Sequence, residues 1–289
     1  MKPIHLTCLC GDQTLAVFQE VVELLYHGLR RAGAKVDWAP RSLERGALNV
    51  CVAGHRLPAK LLPTLAGERV IVNLEQVCDP QGWRHTDPAM YRALLASGPV
   101  LDYSERNRAW LERELGVHAE LLRLGHVPEL ERIARAAEQD IDVLFYGEIT
   151  PWREQVLTRL KESGLRVATL VGAPSVYGAT RDALIARSRV VLNLHQYDTR
   201  IFEQVRVNYL LVNGKAVVSE VRDDTEIPPM YRDLIEPAAT LEALVDRCRD
   251  LALVPARRRV REEAARESMR AWPQEKLLAS LDCLAAGLP

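Results

Sequence analysis

Short apolar runs rich in β-branched residues alternate with long amphipathic stretches along the whole chain, and this alternation leaves few folds open. It describes parallel sheets with helices on their faces. In the first half the expected strands are Ile4 to Leu9, Ala34 to Trp38, Leu48 to Ala53, Val70 to Leu74, Val100 to Tyr103 and Glu120 to Leu124. Between the first two, Leu15 to Ala32 carries Val17, Val21, Leu24, Leu25 and Leu29 at helical spacing and closes on Gly33, which completes a βαβ unit. In the second half, strands Asp142 to Tyr146, Arg166 to Val171, Val190 to Leu194 and Ala216 to Ser219 are separated by helices Pro151 to Ser163, Thr180 to Ala186 and Ile201 to Val212. These strands are nearly continuous apolar runs, as required when both sheet faces are covered.

A chain of 289 residues exceeds one ordinary core. The charged, strandless stretch Pro128 to Asp140 is the natural bridge between two of them. The expected fold class is α/β, with two Rossmann-like doubly wound lobes facing a cleft. The expected domains are 1–130, 140–265 and a helical tail, 266–289, that returns to the first lobe after a break at Trp272-Pro273. Lys and Arg number 38 against 39 Asp and Glu, so no global positive field exists to hold nucleic acid or an anionic membrane. Met1 to Gly11 lacks the pattern of a signal peptide, and no window is long and apolar enough for a membrane span. Cys8, Cys10, Cys51, Cys78, Cys248 and Cys283 are too scattered for a disulfide framework. A cytoplasmic protein with reduced core thiols is expected.

In open parallel sheets ligands bind beyond the carboxyl ends of the strands, so the chemistry should sit where strands run into loops. Alternation along Val190 to His195 puts Asn193 and His195 on one face at such an end, and Glu203 falls in the first turn of the following helix. A carboxylate there suits the hydroxyls of a ribose or sugar. It also suits the helix dipole, with Arg206 as an i,i+3 partner. Gly147 ends another strand, followed by Thr150 as N-cap, Pro151 at the first helical position and Arg153 in the first turn. That end can attract an anion, and Glu154 offers Arg153 an ordinary partner instead. The loop Gly172 to Gly178 carries Tyr177, which suits stacking on a nucleobase as well as simple connection. In the first lobe Asp12, Glu75 and Asp102 are carboxylates at strand ends, where a general base has to be, although solvation or capping explains each alone.

Other chemistries are set aside. His5 points away from the face shared by Cys8 and Cys10, so core packing is preferred to zinc. There is no dinucleotide-binding Gly-x-Gly-x-x-Gly, no Walker lysine loop and no Gly-x-Ser-x-Gly elbow. No acidic pair ends a strand of the second lobe, so no metal or other cofactor is expected, and Arg257 to Arg261 reads as a solvated helix face.

The stretch Val190 to Glu220, with Asn-x-His, Glu-x-x-Arg, Leu-Leu-x-Asn-Gly and Val-Val-Ser-Glu in order, resembles bacterial GT-B-type glycosyltransferases related to the group 1 glycosyltransferases. Val70 to Gln76 and Leu101 to Leu111 are similar to the same group. The resemblance implies a nucleotide-sugar donor on the second lobe and an acceptor, whether glycan, protein or small molecule, on the first. It implies that Glu203 holds donor hydroxyls, with His195 and Arg206 near the diphosphate or sugar. Arg153 matches loosely a basic residue near the donor, and Glu75 is the first choice of base ahead of Asp12 and Asp102. An epimerase or a non-catalytic nucleotide-sugar-binding protein of the same fold remains the alternative.

Overall fold

The computed structural model describes residues 1–83, 86–171 and 177–289, with the side chains of 12–14 excepted. The chain divides into two compact units: Met1–Val127 with Tyr197–Ile201 and Pro273–Pro289, and Pro128–Gln196 with Phe202–Trp272.

Unit 1 is built on β1 (Ile4–Cys8), β2 (Val36–Trp38), β3 (Leu48–Val52), β4 (Arg69–Asn73), β5 (Val100–Asp102) and β6 (Ala119–Leu121), all parallel, in the order β2-β1-β3-β4-β5-β6. Every residue of β1 and β3 is buried, the polar His5, Thr7 and Asn49 included, as expected of strands covered on both faces. Helix α1 (Asp12–Arg31) turns Val21, Leu24, Leu25 and Leu29 inward, and Gly33 takes a positive φ of 90° to leave it. Two helices too short for a clear periodic signal stand in the same unit. One is α2 (Pro88–Leu95), capped by Asp87, and the other is α3 (Glu105–Leu115), capped by Ser104.

Unit 2 carries β7 (Ile141–Tyr146), α4 (Pro151–Glu162), β8 (Val167–Leu170), α5 (Ala179–Arg187), β9 (Ser188–Asn193), α6 (Gln204–Val212), β10 (Ala216–Glu220), β11 (Glu236–Ala238), α7 (Leu241–Leu253) and α8 (Pro255–Arg270). Its parallel strands run in the order β11-β10-β9-β7-β8. Val143, Phe145, Val190, Leu192 and Val218 pack with Val156, Leu160, Leu244 and Cys248 into its core. The short α9 (Gln274–Ala279) belongs to unit 1, where a Cβ on Gly28 of α1 would meet Gln274 Cγ at 2.6 Å.

Three expectations need correction. The helix expected from Ile201 starts at Gln204, because the Ile201 carbonyl is held by the Gln76 side chain at 3.4 Å and Glu203 is left as the non-helical N-cap. Strand β11 went unread since Pro237 interrupts it, which an edge strand tolerates. Arg258, assigned to a solvated face, is 3% exposed and donates to the Leu251 and Ala252 carbonyls at the end of α7. No helix among the described residues is long and apolar enough to cross a membrane.

Candidate functional site

The second sheet reverses its strand order at β7, which has β8 on one side and β9 on the other. Connections that diverge at such a point leave an opening beyond the carboxyl ends of the strands. Gly147 follows β7 with φ at 138°, and a Cβ there would lie 2.9 Å from Arg206 Nη2 and 3.7 Å from Arg153 Nη1. A glycine is what lets two guanidinium groups come against this backbone.

Arg153 is placed by α4, whose N-cap Thr150 accepts a hydrogen bond from the Arg153 amide at 3.3 Å. Its side chain, 1% exposed, donates to the carbonyls of Glu148 at 2.8 Å and Leu194 at 2.6 Å and to the Gln196 side chain. Arg206, on the first turns of α6, donates to Asn193 Oδ1 at 2.9 Å and lies over the rings of Phe145 and Tyr146. Burial, and then the neighbouring charge of Arg206, push Arg153 down to about 10, so it remains a cation at neutral pH. The Nε of each arginine is buried without a hydrogen-bond partner among the described residues.

Glu203 stands beside this pair. Its carboxylate accepts from the Gln196 amide at 2.8 Å and from Asn193 Nδ2 at 3.3 Å, with His195 Nδ1 at 3.4 Å and Arg153 Nη2 at 3.9 Å. Burial alone would raise its pKa, but His195, Arg206 and Arg153 outweigh burial and hold it below the usual carboxylate range. Asn193 also donates to Ser219 Oγ at 3.0 Å, which locks its amide. The His195 amide donates to Glu220 at 3.2 Å, and its Nε2 is 3.2 Å from Thr225 Oγ1.

Six of the residues singled out in the sequence, Gly147, Arg153, Asn193, His195, Glu203 and Arg206, are thus brought together. Tyr177 meets a different cation: its ring is under Arg181, whose guanidinium also sits over Tyr209 and over Tyr146, the ring that Arg206 covers as well. The rest of its loop, 172–176, lies outside the described residues. Sequence reasoning missed Glu220, which ends β10 and also accepts from Trp152 Nε1 at 3.0 Å and Arg222 Nε at 3.1 Å. It also missed Gln196. The signal for Glu220 was its place at the carboxyl end of an apolar strand, one residue beyond Ser219.

In unit 1 the carboxylates separate into different environments. Asp102 is fully buried and occupied: its oxygens accept from the Ser104 amide at 2.8 Å, Asn107 Nδ2 at 3.1 Å and Asn73 Nδ2 at 2.5 Å. Asn73 and Asn107 in turn bind the Glu75 backbone, and Tyr91 donates to Asn73 Oδ1 at 2.6 Å. This network fixes the turn after β4. It leaves the Glu75 carboxylate 3.2 Å from His55 Nε2 and 23% exposed. Burial pushes Glu75 up to about 7, partly opposed by Arg56. Asp12 opens α1, and its side chain lies outside what the structure describes. His55 was not singled out in the sequence. It follows β3 on a short turn, Gly54–Arg56, entered through Ala53 at a positive φ of 56°. Among the described residues no group of three or more metal-ligating side chains is present.

No protein-family model matches the chain. Two uncharacterized proteins of Acanthamoeba polyphaga mimivirus are similar to it, at 26% identity over 160 residues and 28% over 151, covering 54% and 52% of this chain. The chain spans about half the length of these curated relatives, 50% and 49%. Among solved structures, T4 phage BGT in complex with its UDP-glucose substrate has a TM-score of 0.59 at 10% identity, with 99% of each chain covered. The same phage protein is also known in complex with UDP and Mn²⁺. The Anabaena protein HepE in complex with UDP and glucose has a TM-score of 0.55 at 11% identity, covering 95% of this chain and 97% of its own. TarM has a TM-score of 0.56 at 11% identity, with 81% of this chain and 53% of TarM covered. At such identities the likeness shows the fold, which is that of the GT-B glycosyltransferases.

Proposed function

We propose that the chain is a glycosyltransferase that moves a sugar from a nucleoside-diphosphate sugar held by unit 2 to a hydroxyl of an acceptor held by unit 1. The observation that carries the reading is the pair of buried Arg153 and half-buried Arg206, set against the same Gly147 backbone at the switch point of the second sheet. Two like charges in one low-dielectric place repel each other. A bound diphosphate would turn that repulsion into attraction and give the two partnerless Nε–H groups an acceptor. The N-terminus of α4 adds its partial positive charge.

Glu203, already held as a carboxylate, supplies acceptor oxygens for ribose or sugar hydroxyls, and His195, which faces it, lies near the phosphates or sugar. In the reaction the acceptor oxygen forms a bond to the anomeric carbon as the bond from that carbon to the diphosphate oxygen breaks. The nucleoside diphosphate leaves with the electron pair, its charge stabilised by the two arginines. The proton of the acceptor hydroxyl passes to Glu75, whose raised pKa suits a base working near neutral pH. With arginines bearing the diphosphate charge, no metal is assigned to the step.

UDP is the first nucleotide to test, since it is named in the complexes of two proteins of this fold. A thermal-shift and calorimetric panel of UDP, GDP, TDP and CMP sugars decides the donor. A ligand at 100 times its Kd stabilises by ~2.7 kcal/mol. Binding of no member of the panel would remove the reading, and conversion of a bound sugar without any acceptor would replace transfer by epimerisation.

A further inference from the structure

Unit 1 has a switch point of its own, since β1 lies between β2 and β3. Beyond the carboxyl ends of β1 and β3 is a cavity of about 640 Å³, inside the range of small-molecule sites. One wall is apolar, formed by Leu9, Leu57, Leu61 and Leu65, and Leu61 stays 41% exposed at its edge. The opposite chemistry comes from Arg41, Arg45 and Arg56, with no carboxylate among the described lining residues.

All three arginines are exposed residues that line this space, and two of them are marked by further observations. Arg41 is held at a positive φ of 57°, unfavourable for a residue with a side chain, and its amide is tied to the Cys8 carbonyl at 3.1 Å. Buried Cys10, also in the wall, feels Arg56 and Arg41 together: its thiol is lowered against burial by the Cys8 hydrogen bond first, then by a backbone hydrogen bond, and last by these two charges. Gly11, the N-cap of the 20-residue α1, lines the same space and adds the positive end of that helix.

We propose that this cavity binds a small amphipathic anion, its apolar stem along the leucine wall and its phosphate or carboxylate among Arg41, Arg45 and Arg56, and that such a molecule is the acceptor. The acceptor role rests on the transferase reading; the binding of the anion does not. The turn Gly54–Arg56 ties the cavity to the proton acceptor, because His55 meets Glu75 at 3.2 Å while the next residue lines the cavity. A hydroxyl carried near the anionic head is thereby delivered to Glu75. A leucine wall of this size has no use in gripping a nucleic-acid backbone, which presents charge without a stem.

The test is calorimetry on the whole protein with n-octyl phosphate, octanoate and n-octyl β-glucoside, each below its critical micelle concentration, with UDP titrated into the same samples. Either anion, phosphate or carboxylate, should bind at least ~10-fold tighter than the uncharged glucoside, given the gain from hydrogen bonds to charged groups, and the better one identifies the head group. The double variant Arg41→Gln/Arg45→Gln should erase that preference, and Leu61→Asp, at an exposed position, should weaken both anions by ~10-fold. UDP binding should stay the same in both variants. Equal binding of the glucoside, or binding of neither anion by protein that binds UDP, would overturn the proposal. A short DNA duplex binding in an Arg41- and Arg45-dependent way, with no effect of Leu61→Asp, would overturn it in favour of nucleic acid. Anion binding without UDP binding would refute the transferase reading and with it the acceptor role, leaving the anion site.

Discussion

Replacing Glu75 by Gln keeps the size of the side chain and its contact with His55 but removes the ionisation, so its consequences can be worked out before the experiment. Burial raises the carboxyl from 4.5 to about 7, opposed by Arg56, and the ionised form acts in turn on the hydroxyl of Tyr91. A carboxyl whose folded pKa is raised binds more protons in the folded than in the unfolded chain between those two values. Its contribution to stability is therefore fully present below pH 4.5 and is lost as pH rises through about 7. The full difference at ~1.36 kcal/mol per unit is about 3 kcal/mol, and partial exposure reduces it to about 2 kcal/mol. Urea unfolding of both proteins at about pH 5 and about pH 8 should show wild type losing about 2 kcal/mol more than Glu75→Gln over that window. Turnover of wild type should rise through pH 7 and fall at least ~10²-fold in the variant while UDP binding persists. Equal pH slopes of stability in the two proteins would refute the raised pKa, and near-normal turnover would remove Glu75 as the base and return the search to Asp12 and Asp102.

Glu203→Ala should cost stability as well as donor affinity. It leaves Arg153, 1% exposed, and His195 without their carboxylate, and breaking a buried pair costs ~3–5 kcal/mol. Glu203→Gln should fold better and separate the two effects, as read by urea unfolding beside UDP calorimetry. Gly147→Ala should weaken UDP binding at least ~10-fold, since its Cβ would stand 2.9 Å from Arg206 Nη2 at a φ of 138°, and should cost ~1–3 kcal/mol in unfolding free energy. Turnover should survive excess EDTA, and strict dependence on added Mg²⁺ or Mn²⁺ would show that the diphosphate charge is not left to arginines.

The parts of the fold that were legible in the sequence are those where burial dictates composition. β7 and β9 read as apolar runs because their residues are covered on both faces, and Asn193 and His195 were placed together because a strand alternates. The start of α6 was not legible. Its periodicity extends back to Ile201, but Gln76, more than a hundred positions earlier, captures the Ile201 carbonyl, and no local pattern encodes that bond. The same holds for the neighbours of Glu75. His55, Tyr91 and Asn107 lie on three separate elements and meet only when the parallel sheet brings its loops to one edge. Glu220 was visible at a strand end, yet only the structure gives it Trp152, Arg222 and the His195 amide.

The central claim is that Arg153 and Arg206 hold a diphosphate at the switch point of the second sheet, and calorimetric titration of UDP into wild type, Arg153→Met and Arg206→Met tests it most directly. Each substitution removes hydrogen bonds to a charged ligand worth ~1.5–3 kcal/mol, so each variant should bind UDP ~10- to 150-fold more weakly than wild type, while uridine should bind all three alike. UDP affinity unchanged in folded Arg153→Met and Arg206→Met protein would contradict the account.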